Sequence, residues 1–79
     1  ELEADDVGRT AVRRHKEQVE SIFAQHLSEL LPEEPDRVAA LAAQIAFLLE
    51  GAMARAGLEG SSARVITARA MVDDMLKAL

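Results

Sequence analysis

The 79-residue chain contains no cysteine, tryptophan or tyrosine, and its only aromatic residues are Phe23 and Phe47. Without cysteine, neither a disulfide framework nor thiolate ligation of a metal is possible. With so few aromatic rings, a core has to be built from leucine, isoleucine, valine, methionine and alanine. A chain of this length buries only about 60% of its unfolded surface when it folds alone. We therefore expect at most one domain, with a partner surface completing its apolar burial.

The chain also lacks a surplus of positive charge, since nine lysines and arginines stand against 14 acidic residues and give a net charge of −5. Phosphate contacts need concentrated lysine and arginine, so this balance argues against nucleic-acid binding by these residues. The one basic cluster comprises Arg9, Arg13, Arg14 and Lys16. Acidic residues flank it, so we interpret it as a solvated helix surface.

Long hydrophobic runs are missing as well, because Gln44, Glu50 and Arg55 interrupt the most apolar stretch. No segment is expected to approach the ~20 apolar residues of a membrane span, and no signal peptide is visible. Together with the lack of cysteine, this predicts a cytoplasmic protein with no membrane partner. Residues 1–8 form an acidic lead-in without an initiator methionine, which we interpret as the end of a preceding helix or a loop in a longer protein.

Apolar residues recur at helical spacing through residues 9–79, and this pattern predicts an all-α domain of three helices. The first helix is expected over residues 9–31. Pro32 and Pro35 bracket its end, and Pro35 followed by an acid suits the first turn of the second helix. The second helix is expected to end near Ala56 or Gly57, and the third to cover residues 63–79.

The connection between the last two helices is short. Gly57 or Gly60 is expected to take the left-handed conformation that closes many helices, and Ser61 or Ser62 to cap the third helix. With only about five residues joining them, the last two helices are expected to form an antiparallel hairpin.

The second helix is apolar on two opposite sides at about 100° per residue. One face carries most of the large side chains: Val38, Leu41, Ala42, Ile45, Leu48, Leu49, Ala52 and Met53. The opposite face consists mostly of small residues: Ala40, Ala43, Phe47, Gly51 and Ala54. Too little other chain is present to cover both sides, so a second copy is expected to cover the second face.

The third helix adds a smaller apolar flank made of Ala63, Ile66, Thr67 and Ala70. A hairpin presents this flank together with the second face of the middle helix. The predicted dimer interface therefore comprises Ala40, Ala43, Phe47, Gly51, Ala54, Ala63, Ile66, Thr67 and Ala70. Two hairpins paired through this surface would form a four-helix bundle, with small residues at the close crossings and Phe47 as the main anchor.

No catalytic constellation is present, and we expect neither enzymatic activity nor a cofactor. The two histidines, His15 and His26, lie three turns apart on one helix, which makes a shared metal implausible. An alternative is an oligomeric helical-bundle enzyme or metalloprotein that uses His15, His26 and Glu29. A ligand-free helical adaptor module is a further alternative.

From Pro35 onward the chain reads PDRVAALAAQIAFLLEGAMARAGLEGSSARVITARAMVDDMLKAL. Proline and an acid open a helix, an Ala/Leu-rich stretch ends at residues 48–51 (LLEG), and a Gly-containing turn leads to a final helix with Ala68 and Ala70. In this order the features resemble the C-terminal end of TetR/AcrR-type transcriptional regulators.

The resemblance implies a homodimeric repressor whose C-terminal helical domain pairs in a four-helix bundle and binds a small, often apolar effector. DNA would be bound only through an N-terminal helix-turn-helix domain, which has no counterpart in these residues. We expect a partial effector pocket walled by Phe23, His26, Leu27 and Leu48. His26 would place one polar group in an apolar stripe, a common way to orient an apolar ligand.

Overall fold

A computed structural model describes residues 2–79 as three helices, α1 (Leu2–Leu30), α2 (Pro35–Glu59) and α3 (Ala63–Lys77). No strand occurs in that range, so the predicted all-α class with three helices is confirmed. Side chains are described from Asp6 onward. Glu1, and the side chains of residues 2–5 in the acidic lead-in, lie outside the described residues.

Helix α1 begins at Leu2, seven residues before the expected start at Arg9. Residues 2–8 therefore continue the helix and do not form a loop. All side chains from Asp6 to Arg9 are exposed, so this part of the helix has no buried face that an apolar period could reveal. Within this part of the helix, the Thr10 hydroxyl donates a 2.8 Å hydrogen bond to the backbone carbonyl of Asp6.

The predicted junction between the first two helices is confirmed, because α1 ends at Leu30 and α2 begins at Pro35. The Leu31 amide donates to the Leu27 carbonyl at 2.9 Å, and the Glu34 amide donates to the Leu31 carbonyl at 3.2 Å. These bonds satisfy backbone groups that the end of a helix leaves without helical partners. Proline at the first position of α2 costs no hydrogen bond there.

The connection between α2 and α3 is formed by residues 60–62. Gly60 has a φ of 64°, and the Ser61 amide donates to the Ala56 carbonyl at 3.2 Å. This hydrogen bond closes a turn of six residues, from Ala56 to Ser61, and Gly60 takes the left-handed conformation that ends many helices. Helix α2 therefore ends at Glu59, two or three residues later than expected, because Gly57 stays helical and Gly60 takes the left-handed position.

Capping of α3 differs in detail from the expectation. The Ser61 hydroxyl accepts a hydrogen bond from the Ala63 amide at 3.2 Å. Ser62 occupies the N-cap position, but its side chain forms no capping hydrogen bond. The helix ends at Lys77, two residues before the expected end at Leu79.

The chain divides into two compact units, Glu1–Ala43 and Gln44–Leu79. In the first unit the buried hydrophobic residues are Leu27, Val38 and Ala42. In the second unit they are Ile45, Ala46, Ala52 and Ala68. Four of these seven residues are alanines, each of which contributes little apolar area, so each unit has a thin core.

Much of the predicted core is exposed. On α2, Val38, Ala42, Ile45 and Ala52 are buried as expected, but Met53 at the edge of that face is 59% exposed and was wrongly included. Further apolar residues that recur at helical spacing in residues 9–79 stay more than a third exposed: Val12, Ile22, Leu30, Leu76 and Leu79. The apolar pattern therefore predicts more burial than a single chain provides.

Helix α2 also corrects the expectation that no segment approaches a membrane span. By length and composition it is apolar enough to cross a bilayer, with a mean hydropathy of 1.4 over its most apolar stretch. The helix meets this criterion in spite of the polar interruptions. Core helices of soluble proteins meet the same criterion, so this property by itself assigns no membrane role.

Candidate dimer surface

The second face of α2 lies open on the chain. Phe47 is 65% exposed, and Gly51 and Ala54 are exposed one and two turns further on. Within the first unit, Ala40 is exposed and Ala43 is half-buried. The small residues and the one aromatic ring predicted for a dimer interface are thus accessible, apart from part of Ala43.

The flank of α3 is open in the same way. Ile66 is 65% exposed, and Ala63, Thr67 and Ala70 are exposed. The Thr67 hydroxyl donates to the Ala63 carbonyl at 3.1 Å, so its polar atom is satisfied within the helix and its methyl group remains for packing.

Residues of α2 and α3 line one open groove of about 440 Å³ in the second unit. Its lining comprises Phe47, Leu48, Gly51, Ala52, Arg55, Arg64, Thr67, Ala68 and Met71. Phe47, Gly51 and Thr67 were predicted from the sequence as interface residues. Arg55, Arg64 and Met71 were missed, although the spacings 47, 51, 55 and 64, 67, 71 place them on the same helix faces.

Gly51 lies inside α2, where glycine costs roughly 0.5–1 kcal/mol relative to alanine. Beyond the adjacent residues and the local backbone of its own helix, a methyl group at this position would meet no atom within 4 Å. No contact within the described chain therefore requires glycine here. Gly57, also inside α2, is equally open, so Gly51 is distinguished by its position on the predicted interface.

An ion cluster joins the end of α2 to the start of α3. The Arg64 guanidinium donates to the two carboxylate oxygens of Glu59 at 3.2 and 3.4 Å. Arg55 donates to the same carboxylate at 3.4 Å. Two positive charges therefore share one negative charge beside the groove.

The hydrogen bond from Arg64 lowers the pKa of the Glu59 carboxyl, and the charges of Arg64 and Arg55 add to this effect against a smaller opposing desolvation. Because the folded-state pKa is depressed, the cluster stabilises the fold fully above the ordinary pKa of 4.5. That contribution is lost as the pH falls through the folded-state value. The side chains are 38–58% exposed, so solvent screening keeps the contribution small.

We expect Glu59→Gln to lower the melting temperature slightly at pH 7 and to have progressively less effect towards pH 3.5. Thermal unfolding followed by circular dichroism across this range measures the difference. Glu33→Gln, in the exposed connection between α1 and α2, is the control for loss of one carboxylate. A Glu59→Gln effect that is equally large at both ends of the range would contradict the assignment.

The predicted effector residues are divided between the two units. Phe23 is half-buried, His26 is exposed and Leu27 is 3% exposed on neighbouring turns of α1 in the first unit. Leu48 belongs to the second unit, where it is half-buried and lines the groove.

The side chains of the metalloprotein alternative do not gather into a site. His15, His26 and Glu29 are exposed. Over the described part of the chain, no group of three or more histidine, aspartate or glutamate side chains is placed to hold a metal ion. No observation therefore favours this alternative.

Comparison with known proteins adds no relative: no protein-family model, curated protein or solved structure matches the chain.

Proposed function

We propose that the chain is the dimerisation and small-molecule effector domain of a TetR-like transcriptional repressor, acting by binding and not by catalysis. The observation that carries the dimerisation part is the exposure of Phe47 and Met71, which line the same groove and are 65% and 48% exposed. Large apolar side chains left in water on one surface mark interaction sites. The proposed partner is a second copy, joined through α2 and α3 in a four-helix bundle.

The thin core of the second unit supports this proposal. Its buried residues are one isoleucine and three alanines, which supply little of the apolar burial that a small domain needs. Covering Phe47, Ile66 and Met71 with a second copy would add larger side chains to the buried surface. A stable interface of standard size buries about 800 Å² on each partner, a demand that two helices with exposed apolar strips can meet.

The effector part of the proposal rests on the resemblance of residues 35–79 to the C-terminal end of TetR/AcrR-type regulators. A bound effector would change the spacing of two DNA-binding domains only if it binds one dimer arrangement better than the other. DNA contact would belong to a separate domain, because the net charge is −5 and acidic residues flank the one basic cluster, at residues 9–16.

Two measurements on the unmodified chain test the proposal. Sedimentation equilibrium at micromolar concentration is expected to give the mass of a dimer. Fluorescence anisotropy with duplex DNA of varied sequence at physiological salt is expected to show no sequence-dependent binding. A monomer throughout the micromolar range would exclude the dimerisation role, and saturable binding to one DNA sequence would exclude the assignment of DNA contact to another domain.

A further inference from the structure

We propose that the two copies dock antiparallel across the groove, with Arg64 of each copy facing the partner's Asp74. The inference rests on the proposed dimerisation and goes beyond it, because it fixes the direction and the register of the pairing. The observation that supports this direction is the distribution of charged side chains along one face of α3.

That face carries opposite charges at its two ends. Arg64, Thr67 and Met71 line the groove, and Asp74 follows Met71 by three residues on the same helix face. Arg64 and Asp74 are ten residues apart, or roughly 15 Å along the helix. Asp74 is exposed, so its carboxylate is accessible to a partner.

The positive end retains a surplus charge. Arg55 and Arg64 share the single carboxylate of Glu59, which leaves one positive charge unbalanced in this cluster. The negative charge that would balance it is Asp74, at the far end of the same face. One chain cannot bring these ends together, because a straight helix holds them roughly 15 Å apart.

A two-fold axis can pair two such surfaces in two directions. If the axis runs parallel to the helices, each position along the helices faces the same position on the second copy. The positively charged ends of the two copies then face each other. With the axis perpendicular to the helices, Arg64 meets the partner's Asp74, and the symmetry repeats that pair. Complementary charges across an interface fix register and like charges oppose it, so the antiparallel direction is favoured.

The antiparallel register also gives a reason for a glycine at position 51. The midpoint between Arg64 and Asp74 falls between Thr67 and Met71, and Gly51 lines the groove together with both. Elements related by a two-fold axis approach each other most closely near that axis. Gly51, with open space around it, is thus where the backbone of the second copy can come nearest.

Disulfide trapping tests the direction directly, since the chain has no cysteine of its own. The variants Arg64→Cys and Asp74→Cys are prepared singly and then mixed and oxidised. A disulfide needs Cα atoms about 4.4–6.8 Å apart. Antiparallel docking is expected to give a covalent heterodimer in the mixture and little crosslinking in either variant alone.

Crosslinking of each variant with itself, and not in the mixture, would overturn the antiparallel direction. A monomer in sedimentation would instead overturn the proposed dimerisation, and the docking with it.

Charge reversal gives an independent readout without cysteine. Asp74→Lys is expected to raise the dimer dissociation constant about tenfold at low salt, because two symmetric ion pairs become repulsive. Asp73→Lys makes the same charge change on the adjacent, differently directed position and is expected to change the constant less than about threefold. Equal effects of the two variants would contradict the Arg64 to Asp74 pairing.

Discussion

Replacing Gly51 with leucine is expected to convert the proposed dimer to a monomer at micromolar concentration. Gly51 is exposed on the second face of α2, and a side chain there meets nothing within its own chain. At a close crossing between two copies, added methylene groups would overlap the partner backbone. Overpacking costs about 1–3 kcal/mol per site, and the two-fold symmetry applies it twice. Sedimentation equilibrium measures the change in association.

Gly57→Leu is the matched control, because Gly57 is also helical, exposed and without an atom within 4 Å of an added methyl group. It lies on a different side of α2, so dimerisation should persist. Alanine sharpens the comparison. In a helix facing water, Gly→Ala stabilises by up to about 1 kcal/mol, so Gly57→Ala should raise the melting temperature. A Gly51→Ala variant that gains stability equally and a Gly51→Leu variant that stays dimeric would place the interface elsewhere.

Truncation of Leu27 to alanine is expected to destabilise the first unit by about 2–5 kcal/mol, the usual cost of removing a buried leucine side chain. Leu27 is 3% exposed, and it is the largest of the three buried side chains in that unit. Small domains have only a few kcal/mol of stability in total. Urea denaturation followed by circular dichroism should therefore show a large decrease in the transition midpoint.

Leu30→Ala supplies the control for this truncation on the same helix. Leu30 is 62% exposed, so the same change in composition removes little buried area and should shift the midpoint by a small fraction of the Leu27 effect. Equal shifts for the two variants would show that Leu30 is covered in solution, for example by a partner.

Helix starts were predictable where proline or serine marks them. Pro35 and the Ser61 to Ala63 segment place the starts of α2 and α3, and both agree with the structure. The start of α1 was missed because the described side chains near its beginning, Asp6 to Arg9, are all exposed and so carry no apolar period. The end of α2 was placed too early because Gly57 and Gly60 are equally able to adopt a positive φ, and only the backbone geometry shows that Gly60 does so.

The candidate surface was predicted in part. The spacing of Phe47, Gly51 and Thr67 identified residues that line the groove, because helical period alone decides which side they occupy. Arg55 and Arg64 were missed. The Arg55 to Glu59 pair has an i, i+4 spacing that sequence can suggest, but the contact from Arg64 to Glu59 crosses the connection between two helices. Its existence depends on how residues 60–62 turn the chain.

The alanine-rich interior of the second unit has a practical consequence for mutational mapping. Three of its four buried hydrophobic positions, Ala46, Ala52 and Ala68, are already the residue to which a conventional scan would change them. Such a scan would leave these positions unchanged. Its results would therefore indicate that the segment tolerates substitution. Sensitivity there lies in the opposite direction, towards added volume, so a scan with valine or leucine is the one that would outline this interior.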